Sequence, residues 1–497
     1  MDASKPQVEA ALALFLQAQR WFGGKARGLK AVRVADRAPL PADGVSAILA
    51  FVDVELGDGT MDLYFVPLTT TETGGETVVH DALAEEAVRA ALLEAIAGGQ
   101  EFATHAGRVR AFQTTAFAEL RGRAGEALPA VLAPPTSSNS LIKYGRRLLL
   151  KLFRRPEPGV NPDLEIGQFL TEKSWFDHIP RLAGGVEYLR PGSAPMTLAI
   201  LQELVVHQAD GWAYTLEELG RYFERAAGDR DGPDAATAGE VVGAYLSAAA
   251  TLGRRTAELH DALSDDHGNS AFAPEPLTAA DLEALTADSR EQVRHARAAL
   301  RGGKSNKRSQ EIEELLESLI LEPPVVGSPG LASGKIRCHG DYHLGQVLWA
   351  DGDFVLLDFE GEPTRTIEER RAKQSPLKDV AGMLRSFDYA AYAGLFAFTQ
   401  NRPDDFARLA PWAELWRQGV SAAFLRNYRA TAWRAAFLPD KPEAFSALLD
   451  AFILNKAFYE LVYELNNRPD WVRIPLQGIL ALAGRGRRPA GQAPTKG

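Results

Sequence analysis

The run His339-Gly340-Asp341-Tyr342-His343-Leu344-Gly345-Gln346, followed by an apolar stretch and then Leu357-Asp358-Phe359-Glu360-Gly361, constrains this chain more than any other feature. Within 20 residues it places a carboxylate, a side-chain amide five positions later and a second carboxylate 17 positions on. Gly340 and Gly345 favour loop over helix, and Phe354 to Leu357 reads as a short strand, so the pattern predicts a loop, a short hairpin and a second loop. His339 and His343 could also be read as a metal pair at i, i+4, but that pair needs a helix the glycines disfavour. They are expected to brace the loop by hydrogen bonds. An isolated His-Gly or Asp-Gly cluster is usually an ordinary turn, and the ordered combination is what makes this one specific.

Composition excludes several classes. The chain has 497 residues, with 55 Lys plus Arg against 65 Asp plus Glu and a net charge of −10, which argues against nucleic acid or an anionic membrane as main partner. Hydrophobic residues at 46% give ordinary globular material, enough for about three compact units or two with one enlarged. One cysteine, Cys338, rules out an intramolecular disulfide and a cysteine-rich zinc site, and points to a reducing, cytoplasmic setting. The amino terminus lacks a basic region before its short apolar run, and no stretch approaches about 20 apolar residues, so neither a signal peptide nor a membrane span is expected.

Along the chain, Leu12 to Trp21 has helical spacing and ends at Gly23-Gly24. Ala47 to Val54 and Met61 to Leu68 read as strands joined through Asp58-Gly59, Glu85 to Ile96 as a helix, and Val109 to Phe117 as another strand. Ser140 to Tyr144 and Arg147 to Phe153 read as a hairpin, followed by a helix from near Asp163 and a last strand from Thr197 to Leu204. Helical patterns dominate from Thr215, including a long one from Glu240 to Leu263. Breaks are expected at 228–233, 302–307 and 322–334, and a disordered tail at 486–497.

Transfer of a phosphoryl group from ATP needs a base to orient a hydroxyl and oxygen ligands to hold magnesium on the phosphates, and the central motif supplies both. Its spacing resembles the catalytic and metal-binding loops of the protein-kinase-like superfamily. Gly340 follows the histidine as in the aminoglycoside-phosphotransferase-like branch, whose substrates are small molecules, and Gln346 stands where protein kinases have Asn. The resemblance implies Asp341 as catalytic base and Gln346 and Asp358 as magnesium ligands, with Glu360 a further ligand or neighbour. Upstream, Lys151 interrupts an apolar strand, where an ammonium needs an anionic partner unless it points to solvent from an edge. By the same resemblance Lys151 grips the ATP phosphates and pairs with Glu165, Ser138 and Asn139 belong to a phosphate-covering loop without glycines, and Gln202, Glu203 and Val205 form the adenine hinge. Leu252 to His260 resembles the helix that precedes the catalytic loop in small-molecule kinases.

Arg20-Trp21-Phe22-Gly23-Gly24-Lys25, Asp358 to Pro363, Asp379 to Tyr389, Lys456 to Glu460, and Arg468-Pro469-Asp470-Trp471 with Ile474-Pro475-Leu476 resemble bacterial maltokinases, in order, over residues 15–480. That resemblance implies an α+β, bilobal protein-kinase-like fold: an N-terminal cap over 1–90, a sheet-containing intermediate subdomain over 91–204 and an α-helical lobe over 205–485. It implies ATP- and magnesium-dependent conversion of maltose to maltose 1-phosphate for α-glucan synthesis, with trehalose synthase as partner. Lys456, Tyr459, Glu460, Tyr463, Glu464 and Asn467 share one helical face, which suits a sugar or an ordinary solvated stripe. Nearby Trp471 favours the sugar, so His343, Tyr459, Glu460, Tyr463 and Trp471 are the substrate candidates. Arg20 to Lys25 reads as a packing segment, with phosphate handling as the other reading. Two rivals stay open: a related kinase acting on glucosamine, glucose or an aminoglycoside, and a catalytically silent nucleotide-binding scaffold.

Overall fold

A computed structural model describes residues 6–74, 76–123, 125–134, 138–229, 235–302, 307–320 and 333–486. The chain divides into two compact units, residues 1–206 with 363–371 and residues 207–362 with 372–497. The expected tail lies outside the described residues from position 487 onward.

The first unit opens with helix α1 (Pro6–Ala18) and an antiparallel sheet of β1 (Leu29–Ala42), β2 (Val45–Leu56), β3 (Met61–Thr73) and β4 (Glu76–Asp81) in sequential order. Asp58 makes the expected turn between β2 and β3, accepting from Thr60 N at 3.0 Å, with Gly59 at φ 81°. Strand β2 reads as a continuous apolar run because both of its faces are covered. Ala50, Val52 and Val54 pack with Leu12, Leu16, Trp21 and Phe22, while Leu49 and Phe51 join the core beneath helix α2 (Glu86–Ala97). Trp21 and Phe22 are buried, and the buried Arg154 guanidinium lies 4.5 Å over the Trp21 ring while pairing with Asp81 at 2.5 Å. Within the Arg20 to Lys25 segment, Trp21 and Phe22 pack inward while Arg20 and Lys25 are exposed.

A second antiparallel sheet follows, built from β5 (Glu101–Ala103), β6 (Arg108–Gln113), β7 (Ala130–Leu132), β8 (Asn139–Tyr144), β9 (Leu148–Phe153), β10 (Leu182–Leu189) and β11 (Met196–Glu203), in the order β5-β6-β10-β11-β9-β8-β7. The strand expected over Val109 to Phe117 stops at Gln113. Thr114 N still donates to Ala183 O of β10, and Phe117 then begins the short helix α3 (Phe117–Arg121). Helix α4 (Pro162–Lys173) is capped by Asn161, which accepts from Asp163 N at 2.8 Å.

The second unit is mainly helical: α5 (Gly211–Gly228), α6 (Ala235–Ser264, kinked at Gly243), α7 (Ala279–Gly302) and α8 (Lys307–Ile320). The short α9 (Ile367–Arg371) belongs to the first unit, where Arg370 reaches Glu157 at 2.5 Å. The chain then continues as α10 (Leu377–Thr399), α11 (Asp405–Thr431), α12 (Pro442–Asn467) and α13 (Arg473–Gly486). Among the described residues no helix is long and apolar enough to cross a membrane.

Candidate active site

Gly340 has φ +87°, and a Cβ there would stand 3.2 Å from Gly361 Cα, so the central motif needs glycine on both grounds. The loop is held from below by Asp379 on α10, whose buried carboxylate accepts from His339 N at 2.8 Å and Gly340 N at 2.9 Å. The same carboxylate meets His260 Nε2 at 3.2 Å, and His260 Nδ1 lies 2.9 Å from the Tyr428 hydroxyl. Burial alone would raise the Asp379 carboxyl, but the His260 hydrogen bond, the neighbouring histidines and the Gly340 N–H outweigh it and hold the group below its usual range. His339 Nε2 approaches Leu357 O at 2.9 Å and ties the loop to the end of the hairpin.

As expected, the motif continues through a hairpin. Val347–Ala350 pairs with Asp353–Leu356 across a turn in which Asp351 (φ 50°) and Gly352 (φ 80°) both have positive φ, as a two-residue type I′ turn requires. Leu357 N donates to Gln346 O at 3.0 Å, so the register brings Gln346 opposite the residue before Asp358. Asp358 itself adopts φ 68°, an uncommon conformation for a residue with a Cβ and a mark of functional sites. Asp358 and Glu360 are half-buried carboxylates on one turn. His343 caps the short helix Leu344–Gln346, its Nδ1 accepting from Gly345 N at 3.0 Å. Burial pushes its pKa down against the opposing pull of Asp341, so it is neutral near pH 7.

Lys456 on α12 joins this group, a residue the sequence placed on the right face without giving it a role. Its Nζ lies 3.4 Å from Asp341 Oδ1, 3.6 Å from Glu362 Oε1 and 5.0 Å above the Tyr459 ring. Burial would lower its pKa, but Asp341 and Glu362 hold it well above the ordinary lysine range, so it stays charged. The Asp341 side chain keeps 23% of its surface exposed.

The expected sugar face needs correction. Glu460 is 9% exposed, and its carboxylate is held by Arg385 of α10 through Nε at 2.8 Å and Nη2 at 2.6 Å. One turn on, the buried Glu464 accepts from the Tyr389 hydroxyl at 3.0 Å and from Arg468 at 2.6 Å. The face reading therefore splits: both carboxylates turn into the contact with α10, and neither is presented to an acceptor. Tyr459 is half-buried and Tyr463 is 47% exposed. Trp471 stacks on Tyr389 at 6.3 Å between centroids, with the Arg468 guanidinium 4.8 Å from its ring.

In the first unit, Lys151 is 8% exposed and its Nζ lies 2.9 Å from Asp163 Oδ2. The carboxylate expected there, Glu165, is instead gripped by Arg371 through both nitrogens at 2.9 and 2.7 Å. The cap at Asn161 starts α4 one residue earlier than expected and turns Asp163, not Glu165, toward the β9 lysine. Ser138 is exposed and Asn139 opens β8, while Thr136 and Ser137 lie outside the described residues. Gln202 and Glu203 end β11, and Glu203 N donates to Arg181 O at 2.9 Å while its carboxylate accepts from Arg181 Nε at 3.2 Å. Val205 is half-buried at the end of the unit.

Comparison with known proteins places these features. Residues 15–96 match the maltokinase N-terminal cap domain and residues 224–437 the phosphotransferase enzyme family. A glucosamine kinase of Streptacidiphilus jiangxiensis is 28% identical over 301 residues, covering 60% of each chain. One of Mycolicibacterium smegmatis is 28% identical over 296 residues, covering 59% of this chain and 64% of its own. The matched region thus spans less than two thirds of these relatives' length. Solved structures of glucosamine kinase share the fold, one with a TM-score of 0.64 at 23% identity over 96% of this chain and 99% of its own. Another, in complex with glucosamine, ADP and inorganic phosphate, gives a TM-score of 0.63 at 23% identity over 91% of this chain and 95% of its own. The chain thus pairs a segment similar to the maltokinase N-terminal cap domain, residues 15–96, with one similar to the phosphotransferase enzyme family, residues 224–437, which carries the His339 to Gly361 motif.

Proposed function

We propose that this chain is an ATP-dependent sugar kinase whose acceptor is maltose and whose product is maltose 1-phosphate, made for α-glucan synthesis. The observation that carries the kinase reading is Asp341: a partly accessible carboxylate on a loop fixed from below by Asp379, with Gln346 and Asp358 brought to neighbouring positions by the hairpin register. The cap domain supports maltose over other sugars. Association with trehalose synthase rests on the sequence resemblance.

In this reading Asp341 accepts the hydrogen bond of the anomeric hydroxyl and orients its oxygen for in-line attack. Positioning of this kind supplies much of the barrier reduction in phosphoryl transfer. The donor set fits magnesium: the Gln346 amide oxygen and the Asp358 and Glu360 carboxylates are hard oxygen ligands on adjoining turns, with no sulfur or imidazole required. Bound there, the ion would neutralise charge on the phosphates. Lys151, paired with Asp163 in an apolar strand, would meet phosphate oxygens, with Ser138 and Asn139 ahead of its hairpin and Gln202, Glu203 and Val205 as the adenine hinge. Neutral His343 and the rings of Tyr459, Tyr463 and Trp471 would meet the sugar.

A second reading, glucosamine as acceptor, is favoured by the named relatives. ADP release with ATP and magnesium, compared across maltose, glucose, glucosamine, kanamycin and a blank without acceptor, separates the two. Release with maltose alone is the expected result. Release with glucosamine or kanamycin alone would keep the chemistry and overturn the acceptor, and nucleotide binding without transfer to any sugar would revive the scaffold reading.

A further inference from the structure

Three helices of the second unit carry a file of charges that alternates in sign and ends at the candidate catalytic loop. Glu414 and Arg417 of α11 pair at 2.5 Å, and Arg417 lies 3.4 Å from Asp388 of α10. Asp388 pairs with Arg385 at 2.5 Å, and Arg385 with Glu460 of α12 at 2.6 Å. Glu460 is one helical turn from Lys456, whose ammonium lies 3.4 Å from Asp341. Arg385 is 1% exposed and is packed against α13 so closely that a Cβ on Gly478 would overlap its Nη1. Isolated buried charges are costly, so Arg385 and Glu460, the buried members of the file, depend on their neighbours.

We propose that Lys456 is a specificity-determining residue that selects acceptors without positive charge, and that Arg385 and Glu460 are positioning residues that keep it beside Asp341. The proposal rests on the sugar-kinase reading and specifies its acceptor class.

Three carboxylates converge on the Lys456 position: Asp341 and Glu362 by direct approach and Glu460 from the next turn. Without a protein cation there, this acidic cluster would draw in an ammonium on the substrate. With Lys456 in place that role is filled, and an aminated sugar approaching Asp341 meets a like charge. A neutral sugar meets a donor instead. An ammonium has three N–H groups, and two neighbouring carboxylates leave one for a sugar oxygen. The Tyr459 ring beneath Nζ limits where the lysine can move. The hold of Arg385 on Glu460, with Nε donating to Oε2 at 2.8 Å, fixes the turn of α12 that carries both Lys456 and Tyr459.

Glucose and glucosamine differ only by hydroxyl against amine, so their ratio isolates charge. The experiment measures each as acceptor and as competitive inhibitor of maltose turnover, below neutral pH where the amine is protonated. It uses the full chain, K456M, K456E and the double variant R385M/E460M, with unfolding temperatures checked in parallel. The expected result is a wild type that disfavours glucosamine. K456E should raise the glucosamine-to-glucose preference by about tenfold or more, equivalent to about 1.4 kcal/mol. K456M should shift it less, and R385M/E460M should shift it in the same direction. A merely structural role for Arg385 and Glu460 would lower activity without moving the ratio, which would overturn their part. An unchanged ratio in folded K456M and K456E would overturn the part of Lys456. A wild type that prefers glucosamine to every neutral sugar would overturn the inference and leave the kinase reading standing. Absence of transfer to any sugar would overturn both.

Discussion

Removing the Asp379 carboxylate should loosen the loop that carries Asp341 without touching any group that meets substrate. In the native chain this side chain is 1% exposed and accepts from two backbone N–H groups and from His260. Asp379→Ala leaves those N–H groups buried and unpaired, at about 1–3 kcal/mol each, so the total loss should be about 3–5 kcal/mol, the usual cost of breaking a buried charged contact. For a helical unit of this size that corresponds to a fall of roughly 6–10 °C in its unfolding temperature. Turnover should fall about 100-fold, as small displacements of a catalytic group do. Asp379→Asn keeps one acceptor but turns an amide N–H toward a backbone N–H, and should lie between. The pH dependence has a definite sign. Because the folded carboxyl is held below its unfolded value, its stabilisation is complete above the ordinary aspartate value of about 3.9 and is lost as pH falls through the depressed one. Wild type and Asp379→Ala should therefore differ most near neutrality and converge in acid. Thermal unfolding across pH, read beside ADP release, checks this. An Asp379→Ala variant with wild-type turnover, or within about 2 °C of wild type at neutral pH, would show that something else holds the loop.

Further predictions concern other parts of the chain. Asp341→Asn should remove turnover while nucleotide binding, read by calorimetry, persists. Asp358→Ala should reduce turnover by on the order of 1,000-fold, and EDTA should abolish it in the wild type with recovery on excess magnesium, if hard-oxygen coordination supports the reaction. Gly478→Ala should cost about 1–3 kcal/mol in thermal unfolding, because the new methyl overlaps the Arg385 guanidinium. Arg154→Met should destabilise the first unit by about 3–5 kcal/mol by leaving Asp81 without its buried partner, and limited proteolysis should then cut within the cap.

Local pattern carried the central motif: glycine placement announces the loop, Asp351-Gly352 the tight turn, and the short apolar stretch the hairpin. Partners distant in sequence were out of reach. Asp163 and Glu165 both stand in the first turn of α4, and only the Asn161 cap and the return of Arg371 decide which one meets Lys151. Glu460 shares the helical spacing of Lys456 and Tyr459, but nothing local shows that Arg385 lies across from it. Asp379 did leave a signal, a lone carboxylate among Leu377, Val380, Ala381, Met383 and Leu384, where a buried charge implies a structural duty. Of the strands that escaped, two did so for opposite reasons. Strand β10 hides behind Gly184 and Gly185, which let neighbouring strands come close, and β1 behind the charges of a sheet edge, Lys30, Arg33, Asp36 and Arg37.

The return of residues 363–371 to the first unit has a consequence in time. During synthesis, residues 1–206 emerge before residues 207–371 with both sheets complete, yet Glu157 and Glu165 still lack Arg370 and Arg371. At about 5–20 residues per second the ribosome needs on the order of 10–30 seconds to supply them, with residues 207–362 threaded out in between. This earlier-made unit therefore waits for its last contacts on a segment made after the candidate catalytic loop. A fragment ended at residue 206 would leave those two carboxylates without their arginines.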